Sequence, residues 1–183
     1  MTRIVAGRLK GRRLRTPPGS GTRPTSDRVR ESMFASLTSM FGGLDDLRVL
    51  DLFAGSGALG IEAVSRGAVH ADLVDADRKA VQTIRANLSE LGVREARVHA
   101  TTARRFLAQP PADPYDLVFL DPPYDLPADE VAALVETLRD PLWCPPNGLI
   151  VVERSTRDRF IPPPGADTVS ERAYGETCLW YGR

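Results

Sequence analysis

The sequence predicts an α/β protein: a mainly parallel seven-stranded sheet with helices on both faces, a C-terminal antiparallel hairpin and a small basic hairpin at the N-terminus. Three observations predict it. Short apolar runs alternate with segments of helical periodicity through the middle of the chain. Gly67 and Gly92 close the first two helical segments of that alternation. Beyond Pro162-Pro163-Pro164 the pattern changes to two alternating segments around Tyr174-Gly175-Glu176, the signature of a hairpin.

The elements follow in order. Ile4–Ala6 and Arg13–Arg15 flank a turn-rich Gly7 to Gly11 segment, which predicts the basic hairpin. Thr16–Pro24 is rich in Pro, Gly, Ser and Thr and reads as a linker. From Ser26 to Phe41 the residues Val29, Met33, Phe34, Leu37, Met40 and Phe41 recur at helical spacing. Strands are then predicted at Arg48–Asp51, Ala71–Asp75, Ala96–Ala100, Asp116–Leu120 and Leu149–Glu153. Between them lie helices at Ala58–Ser65, Arg78–Leu91, near Ala103–Leu107 and at Ala128–Leu138. This βαβα rhythm implies crossover connections and a parallel sheet covered on both faces. Thr168–Arg172 and Thr177–Tyr181 form the terminal hairpin. The domain reading is a basic hairpin and linker over 1–22 and one globular unit over 23–183, with no internal repeat.

Composition narrows the class. At 183 residues the chain is one domain with room for a real core. Its 42% hydrophobic and 26% charged residues are values of a globular protein. No apolar run approaches the roughly 20 residues of a membrane span. The basic N-terminus has no apolar run behind it, so no signal peptide is expected and a cytoplasmic location is. Cys144 and Cys178 show no CxxC or Cys/His spacing, which favours reduced thiols over a metal site or a disulfide.

The formal net charge of zero conceals an asymmetry. Residues 1–30 carry Arg3, Arg8, Lys10, Arg12, Arg13, Arg15, Arg23, Arg28 and Arg30 against Asp27 alone, and the rest of the chain is acidic. A basic segment on an acidic body is a footprint of nucleic-acid contact. Lys10 and Lys79 are the sole lysines, so a general preference for arginine explains the residue type. It leaves the clustering unexplained.

Two stretches carry chemistry. In Val49-Leu50-Asp51-Leu52-Phe53-Ala54-Gly55-Ser56-Gly57-Ala58-Leu59-Gly60 a strand runs into a glycine loop and a helix. Ligands of open α/β sheets sit outside the carboxyl ends of the strands, and Asp51 lies at such an end. Gly55 and Gly57 let backbone approach a ligand closely. Asp75 ends the next strand, 24 residues on, where a carboxylate can accept both hydroxyls of a ribose. Phe53 and Ala76 complete this wall, and backbone of Thr102 and Ala103 would meet an adenine edge. The loop is formally GxGxxG, so a dinucleotide cofactor and an NAD-dependent oxidoreductase stay open. Asp51 favours S-adenosylmethionine, because its carboxylate suits an ammonium group and would repel a pyrophosphate.

The second stretch is Asp121-Pro122-Pro123-Tyr124, which closes the apolar run Tyr115–Leu120. The exocyclic amine of a nucleobase is a poor nucleophile, since its lone pair is delocalised into the ring. Two acceptors on its N–H groups draw the nitrogen toward tetrahedral geometry. Asp121 supplies one acceptor and the Pro122 carbonyl the other. The fixed φ of Pro122 and Pro123 holds that carbonyl rigidly. Tyr124 offers a face for stacking, worth roughly 1–3 kcal/mol per base. Asp121 reads as an orienting acceptor rather than a general base, because an ordinary carboxylate of pKa ~4 is a weak base for such an amine. A proline-rich turn without chemistry is the bland alternative. It does not explain an Asp before the prolines, an aromatic after them and a glycine loop upstream.

On these motifs the chain resembles the bacterial small-subunit ribosomal RNA guanine-N2 methyltransferases of the RsmD type. The resemblance rests also on Arg3-Ile4-Val5-Ala6-Gly7, Gly11-Arg12-Arg13-Leu14, Arg23–Glu31 and Tyr174-Gly175-Glu176-Thr177. It implies a Rossmann-like methyltransferase fold, S-adenosylmethionine as donor, and a guanine in a hairpin loop of 16S rRNA as target. It further implies the assembling or assembled 30S subunit as partner and a monomeric protein. Asp51, Gly55 and Gly57 would line the donor, Asp75 hold its ribose, and Asp121–Tyr124 hold the guanine amine. The family often has Glu at the position of Asp75 and an acid near Thr102-Ala103. The runner-up is an N6-adenine DNA methyltransferase, which uses the same tetrapeptide but normally adds a recognition element. A binding module with an idle site would keep the basic segment and leave the tetrapeptide without a task. His70 and His99 fall at strand positions and read as structural.

Overall fold

The structure, a computed structural model, describes residues 2–17 and 27–183. A two-stranded ladder, β1 (Thr2–Arg3) with β2 (Arg13–Leu14), precedes helix α1 (Asp27–Phe41). The main sheet then builds through β3 (Arg48–Asp51), α2 (Ala58–Ser65), β4 (His70–Asp75), α3 (Arg78–Leu91), β5 (Ala96–Ala100) and α4 (Ala103–Phe106). It continues through β6 (Leu117–Leu120), α5 (Ala128–Leu138), β7 (Leu149–Ser155), β8 (Thr168–Tyr174) and β9 (Thr177–Gly182). The strand order is β5-β4-β3-β6-β7-β9-β8, parallel through β7 and antiparallel at β9 and β8.

The predicted fold class is the observed one. Its strands β4, β3 and β6 matter most. The chain lays β4 and β5 outward from β3, then returns to place β6 on the other side of β3. That reversal opens a crevice at the carboxyl ends of β3 and β6, the usual place for a ligand. The side chains of β3 alternate between two cores. Val49 joins Phe34, Leu37 and Ile61 on the α1, α2 and α3 face, while Leu50 joins Val131, Val135 and Leu138 of α5 on the other. Among the described residues no helix is long and apolar enough to cross a membrane.

Several boundaries move for local reasons. β6 starts at Leu117 rather than Asp116, whose carboxylate accepts the Arg48 N–H at 2.9 Å. β7 and the terminal hairpin run longer than the periodicity shows, because β7 pairs with β9 out to Ser155 and Thr177. The first strand is Thr2–Arg3, not Ile4–Ala6. The N–H groups of Val5 and Ala6 leave the ladder for the carboxylate of Glu62, at 2.7 and 2.9 Å. The linker residues 18–24, the 22/23 boundary and Ser26 lie outside the described residues.

The N-terminal segment packs into the body. Ile4, Leu9 and Leu14 are buried in the same core as α1 and α2. Glu62 on α2 is fully buried and, besides the two N–H groups, accepts from Arg66 Nε at 2.8 Å, with Arg30 Nε 3.8 Å away. Ser65 Oγ accepts from Leu9 N–H at 3.0 Å and donates to the Ala6 carbonyl at 2.6 Å. Gly7, at φ 79°, brings its backbone so close to α2 that a Cβ would stand 1.8 Å from the Ser65 carbonyl oxygen. Asn87 on α3 accepts from Arg15 N–H at 2.9 Å and donates to the carbonyls of Arg15 and Ser56. Arg30, expected among the RNA contacts, is instead a core residue with no exposure. Its guanidinium donates to the Arg3 carbonyl and to Asp27, which engages it within the protein.

Removing one member of a buried charged cluster strands the others, at a cost of about 3–5 kcal/mol. Glu62→Ala leaves Arg66 Nε and two backbone N–H groups without their acceptor and removes a countercharge from buried Arg30, and should lower unfolding stability by about that amount in urea titrations. A wild-type midpoint would show that the hairpin is not anchored through Glu62.

Candidate active site

Three carboxylates stand at the carboxyl ends of three neighbouring strands: Asp75 on β4, Asp51 on β3 and Asp121 just past β6. Over them opens a cavity of about 1000 Å³. Asp51, Phe53, Gly55, Asp75, Ala76, Thr102 and Ala103 all line it, and so do Asp121, Pro122, Pro123 and Tyr124. The two predicted halves of the site are therefore brought together.

Gly57 does not line the cavity. It caps α2 at φ 81°, donates its N–H to the Ala54 carbonyl at 2.6 Å, and leaves only 3.1 Å between a Cβ and Ile61 Cδ1. Its place is to close the turn, while Gly55, at φ 57°, faces the cavity. Beyond the strands the loop keeps the ladder going on both sides. Leu52 N–H donates to the Phe119 carbonyl at 3.1 Å, and Ala54 N–H to the Val74 carbonyl at 3.0 Å.

Asp51 is 1% exposed. Oδ2 accepts from Gly60 N–H at 3.3 Å, and Oδ1 has no hydrogen-bond partner among the described residues. Burial pushes its carboxyl up to about 8 from 3.8. The Gly60 N–H opposes that rise, and the charges of Asp121 and Asp75 add to it. Asp75 is better served: Oδ2 accepts from Gly55 N–H and Oδ1 from Asp77 N–H, both at 2.8 Å. Those bonds fix the carboxylate across the loop and leave lone pairs for hydroxyl donors. Thr102 caps the short α4, its Oγ1 accepting from Arg105 N–H at 3.2 Å.

Past β6, Pro122 is buried, Asp121 half-buried and Tyr124 59% exposed. The Pro123 carbonyl accepts from Leu126 N–H at 3.0 Å, which turns the chain back toward α5. The Pro122 carbonyl accepts no hydrogen bond among the described residues. The tetrapeptide thus presents one carboxylate, one uncommitted carbonyl and one exposed ring.

Sequence reasoning missed part of the wall. Arg104 lines the cavity one residue past Ala103, and Thr2, Thr16 and Pro17 bring the N-terminal segment to its rim. Arg104 was within reach of the motif reading. The return of the hairpin to the site is a tertiary event with no local signal.

The remaining arginines divide by partner. Arg3 pairs with Asp27 at 3.3 Å, Arg8 with Glu95 at 2.7 Å and Arg15 with Glu90 at 3.0 Å, while Arg12 donates to the Glu90 carbonyl at 3.3 Å. Lys10, Arg13 and Arg28 are exposed and make no ion pair among the described residues. Arg23 lies outside the described residues.

A second cluster of titratable groups sits apart from the cavity. His70 and His99 both direct Nε2 at Asp72, at 2.7 and 2.6 Å, and Tyr115 OH donates to it at 2.7 Å. Burial works to raise the Asp72 carboxyl, but the hydrogen bonds of His99, Tyr115 and His70 outweigh it and hold the group well below the usual range. Cys144 and Cys178 are free and buried, with thiols pushed up to about 12 and about 11, chiefly by burial. Among the described residues no cluster could hold a metal ion.

This sheet order, with its reversed C-terminal hairpin and a glycine loop at the switch point, defines the Rossmann-like S-adenosylmethionine-dependent methyltransferase fold. The chain superposes with a TM-score of 0.84 on a hypothetical protein of Thermus thermophilus, at 30% identity and covering 99% of this chain and 98% of that one. It superposes with a TM-score of 0.65 on magnesium protoporphyrin IX methyltransferase (ChlM) of Synechocystis PCC 6803 with bound SAM. That pair shares 19% identity over 85% of this chain and 77% of the other, a likeness of fold alone. The chain belongs to the RsmD family, whose model, Conserved hypothetical protein 95, matches residues 2–183. Ribosomal RNA small subunit methyltransferase D of Escherichia coli K12 is 42% identical over 151 residues, 82% of this chain and 73% of that one.

The Asp51 shift has a consequence for stability. Its folded carboxyl titrates near 8 and its ordinary one at 3.8, so the folded state holds a proton that the unfolded chain releases. The associated stabilisation is full below about 4 and is lost as pH rises through about 8. Asp51→Asn removes that dependence. Thermal melts from pH 5 to pH 9 should show the Asn variant gaining steadily on the wild type, and parallel profiles would contradict the shift.

Proposed function

We propose that this protein transfers a methyl group from S-adenosylmethionine to the exocyclic N2 amine of a guanine in a hairpin loop of 16S rRNA. The observation that carries the reading is the meeting of Asp51, Asp75 and the Asp121–Tyr124 tetrapeptide around one cavity. The name of the Escherichia coli relative supports ribosomal RNA of the small subunit as the substrate.

The residues fit such a donor. Asp51 Oδ1 is a buried acceptor without a partner among the described residues, suited to the ammonium of an amino acid moiety. Asp75 is oriented for a ribose, and Thr102 and Ala103 are at the wall where an adenine edge would lie. Among the described residues six acidic ones line the cavity, Asp77, Asp129 and Glu130 besides Asp51, Asp75 and Asp121, and favour a cationic ligand over a dinucleotide pyrophosphate. When bound, the donor supplies an electrophilic methyl group on a sulfonium.

On the other side of the cavity the chain prepares an amine. Asp121 and the Pro122 carbonyl accept its two N–H groups and leave the nitrogen lone pair directed into the cavity. Tyr124 stacks on a base drawn out of its loop. Positioning supplies most of the rate, since well-oriented partners gain on the order of 7–11 kcal/mol. Lys10, Arg13 and Arg28 would grip RNA phosphates, with Arg3, Arg8, Arg12 and Arg15 exchanging their carboxylate or carbonyl partners for RNA.

Radiolabelled methyl transfer to 30S subunits lacking the modification, followed by nucleoside analysis, tests this directly. Asp121→Ala should abolish most turnover and leave donor affinity within a few-fold, and Tyr124→Phe should be mild if stacking is the ring's task. Labelled N6-methyladenine, or a Phe variant as inactive as Tyr124→Ala, would contradict the assignment. Replacing Arg13 and Arg28 by Ala should flatten the log–log salt dependence of RNA affinity by about two units. An unchanged slope would leave those two side chains as solvated charges.

A further inference from the structure

A buried arginine stands directly beneath the tetrapeptide. Arg154 follows the apolar run Leu149–Val152 of β7 and is 4% exposed. β6 pairs with β7 at Leu120 and Val152, so Arg154 lies two residues past the last rung, level with the start of the Asp-Pro-Pro-Tyr turn. Its Nη1 donates to the Pro123 carbonyl at 3.4 Å, and its Nη2 donates to Asp158. Asp158 is itself held by the turn after β7, its N–H donating to the Ser155 carbonyl at 3.0 Å.

A desolvated guanidinium is costly unless its donors are used. Here one edge is neutralised by Asp158 and another is spent on a single backbone oxygen. That oxygen also accepts from Leu126 N–H, so the Pro123 carbonyl is held from two sides. The peptide plane between Pro123 and Tyr124 is fixed by that carbonyl, and the direction in which Tyr124 leaves the backbone follows from the plane.

We propose that Arg154 is a positioning residue: by holding the Pro123 carbonyl it sets the orientation of the Tyr124 ring against the target base. The inference rests on the functional reading above for its consequence in turnover, but its structural half needs no substrate. Arg154→Met keeps the length and apolar stem of the side chain and removes the donors. Arg154→Lys keeps the charge but replaces the two-pronged guanidinium with a single ammonium.

The first measurement is amide hydrogen exchange by NMR on the whole protein. Exchange at Leu126 should quicken roughly tenfold in the Met variant and less in the Lys variant. Exchange unchanged in both overturns the proposal whatever the activity. The second is a double-mutant cycle in single-turnover methyl transfer to small-subunit RNA. Arg154→Met should lower the rate roughly tenfold in the wild type and less than twofold in a Tyr124→Ala background, because both act through the same ring. Donor affinity by calorimetry should stay unchanged. Equal losses in both backgrounds would reduce Arg154 to a general structural role and overturn the assignment. A wild type that methylates no small-subunit RNA refutes the functional reading, and the Leu126 amide still decides on Arg154.

Discussion

The organisation of this protein depends on a carboxylate buried in the wall of its cavity. Asp51 ends β3, between Asp75 on one side and Asp121 on the other. Alone in such a place a carboxylate is expensive, and the fold answers in two ways. It supplies backbone donors, chiefly Gly60 N–H with a lesser contribution from Phe53, and it lets the group keep its proton to about pH 8. The second oxygen is left without a protein partner among the described residues. A cation placed there resolves the conflict. The glycine loop serves the same end. Gly55 brings backbone to the cavity and binds Asp75, while Gly57 turns the chain into α2 behind it.

The rest of the chain closes around this centre. Glu62 lies on the helix that the glycine loop starts, and it gathers the segment after the first strand, Arg30 of α1 and Arg66 of its own helix. The N-terminal segment is thereby brought to the rim of the cavity. On the opposite wall Arg154 joins β7 to the turn that carries Tyr124. The N-terminal segment and the Asp-Pro-Pro-Tyr turn are thus each held by one buried charged group. Neither group faces the cavity as a reacting atom.

The sheet and the two motifs were legible because their signals are local. Periodicity located β3, β5, α2 and α3 to the residue, and a strand end followed by glycines or by Asp-Pro-Pro-Tyr carries its meaning in a few adjacent positions. The buried charges were not legible. Arg30 reads as one of the basic residues that contact nucleic acid, and Glu62 carries no signal, since nothing nearby in sequence shows that they share a core. The first strand was misplaced for the same reason. Val5 and Ala6 alternate well enough for a ladder, but the carboxylate of Glu62, more than fifty residues on, takes their N–H groups. Arg154 escaped notice because its partner is a backbone carbonyl, which leaves no mark in sequence.

The central claim is that buried Asp51 awaits a cationic ligand, and proton-linked calorimetry tests it most directly. S-adenosylmethionine should bind near pH 7 with release of up to one proton from Asp51, measured by repeating the titration in buffers of different ionisation heat. That release should vanish in Asp51→Asn, and NAD should not bind. Tight binding of NAD, or binding of S-adenosylmethionine with no proton released by the wild type, would contradict the account.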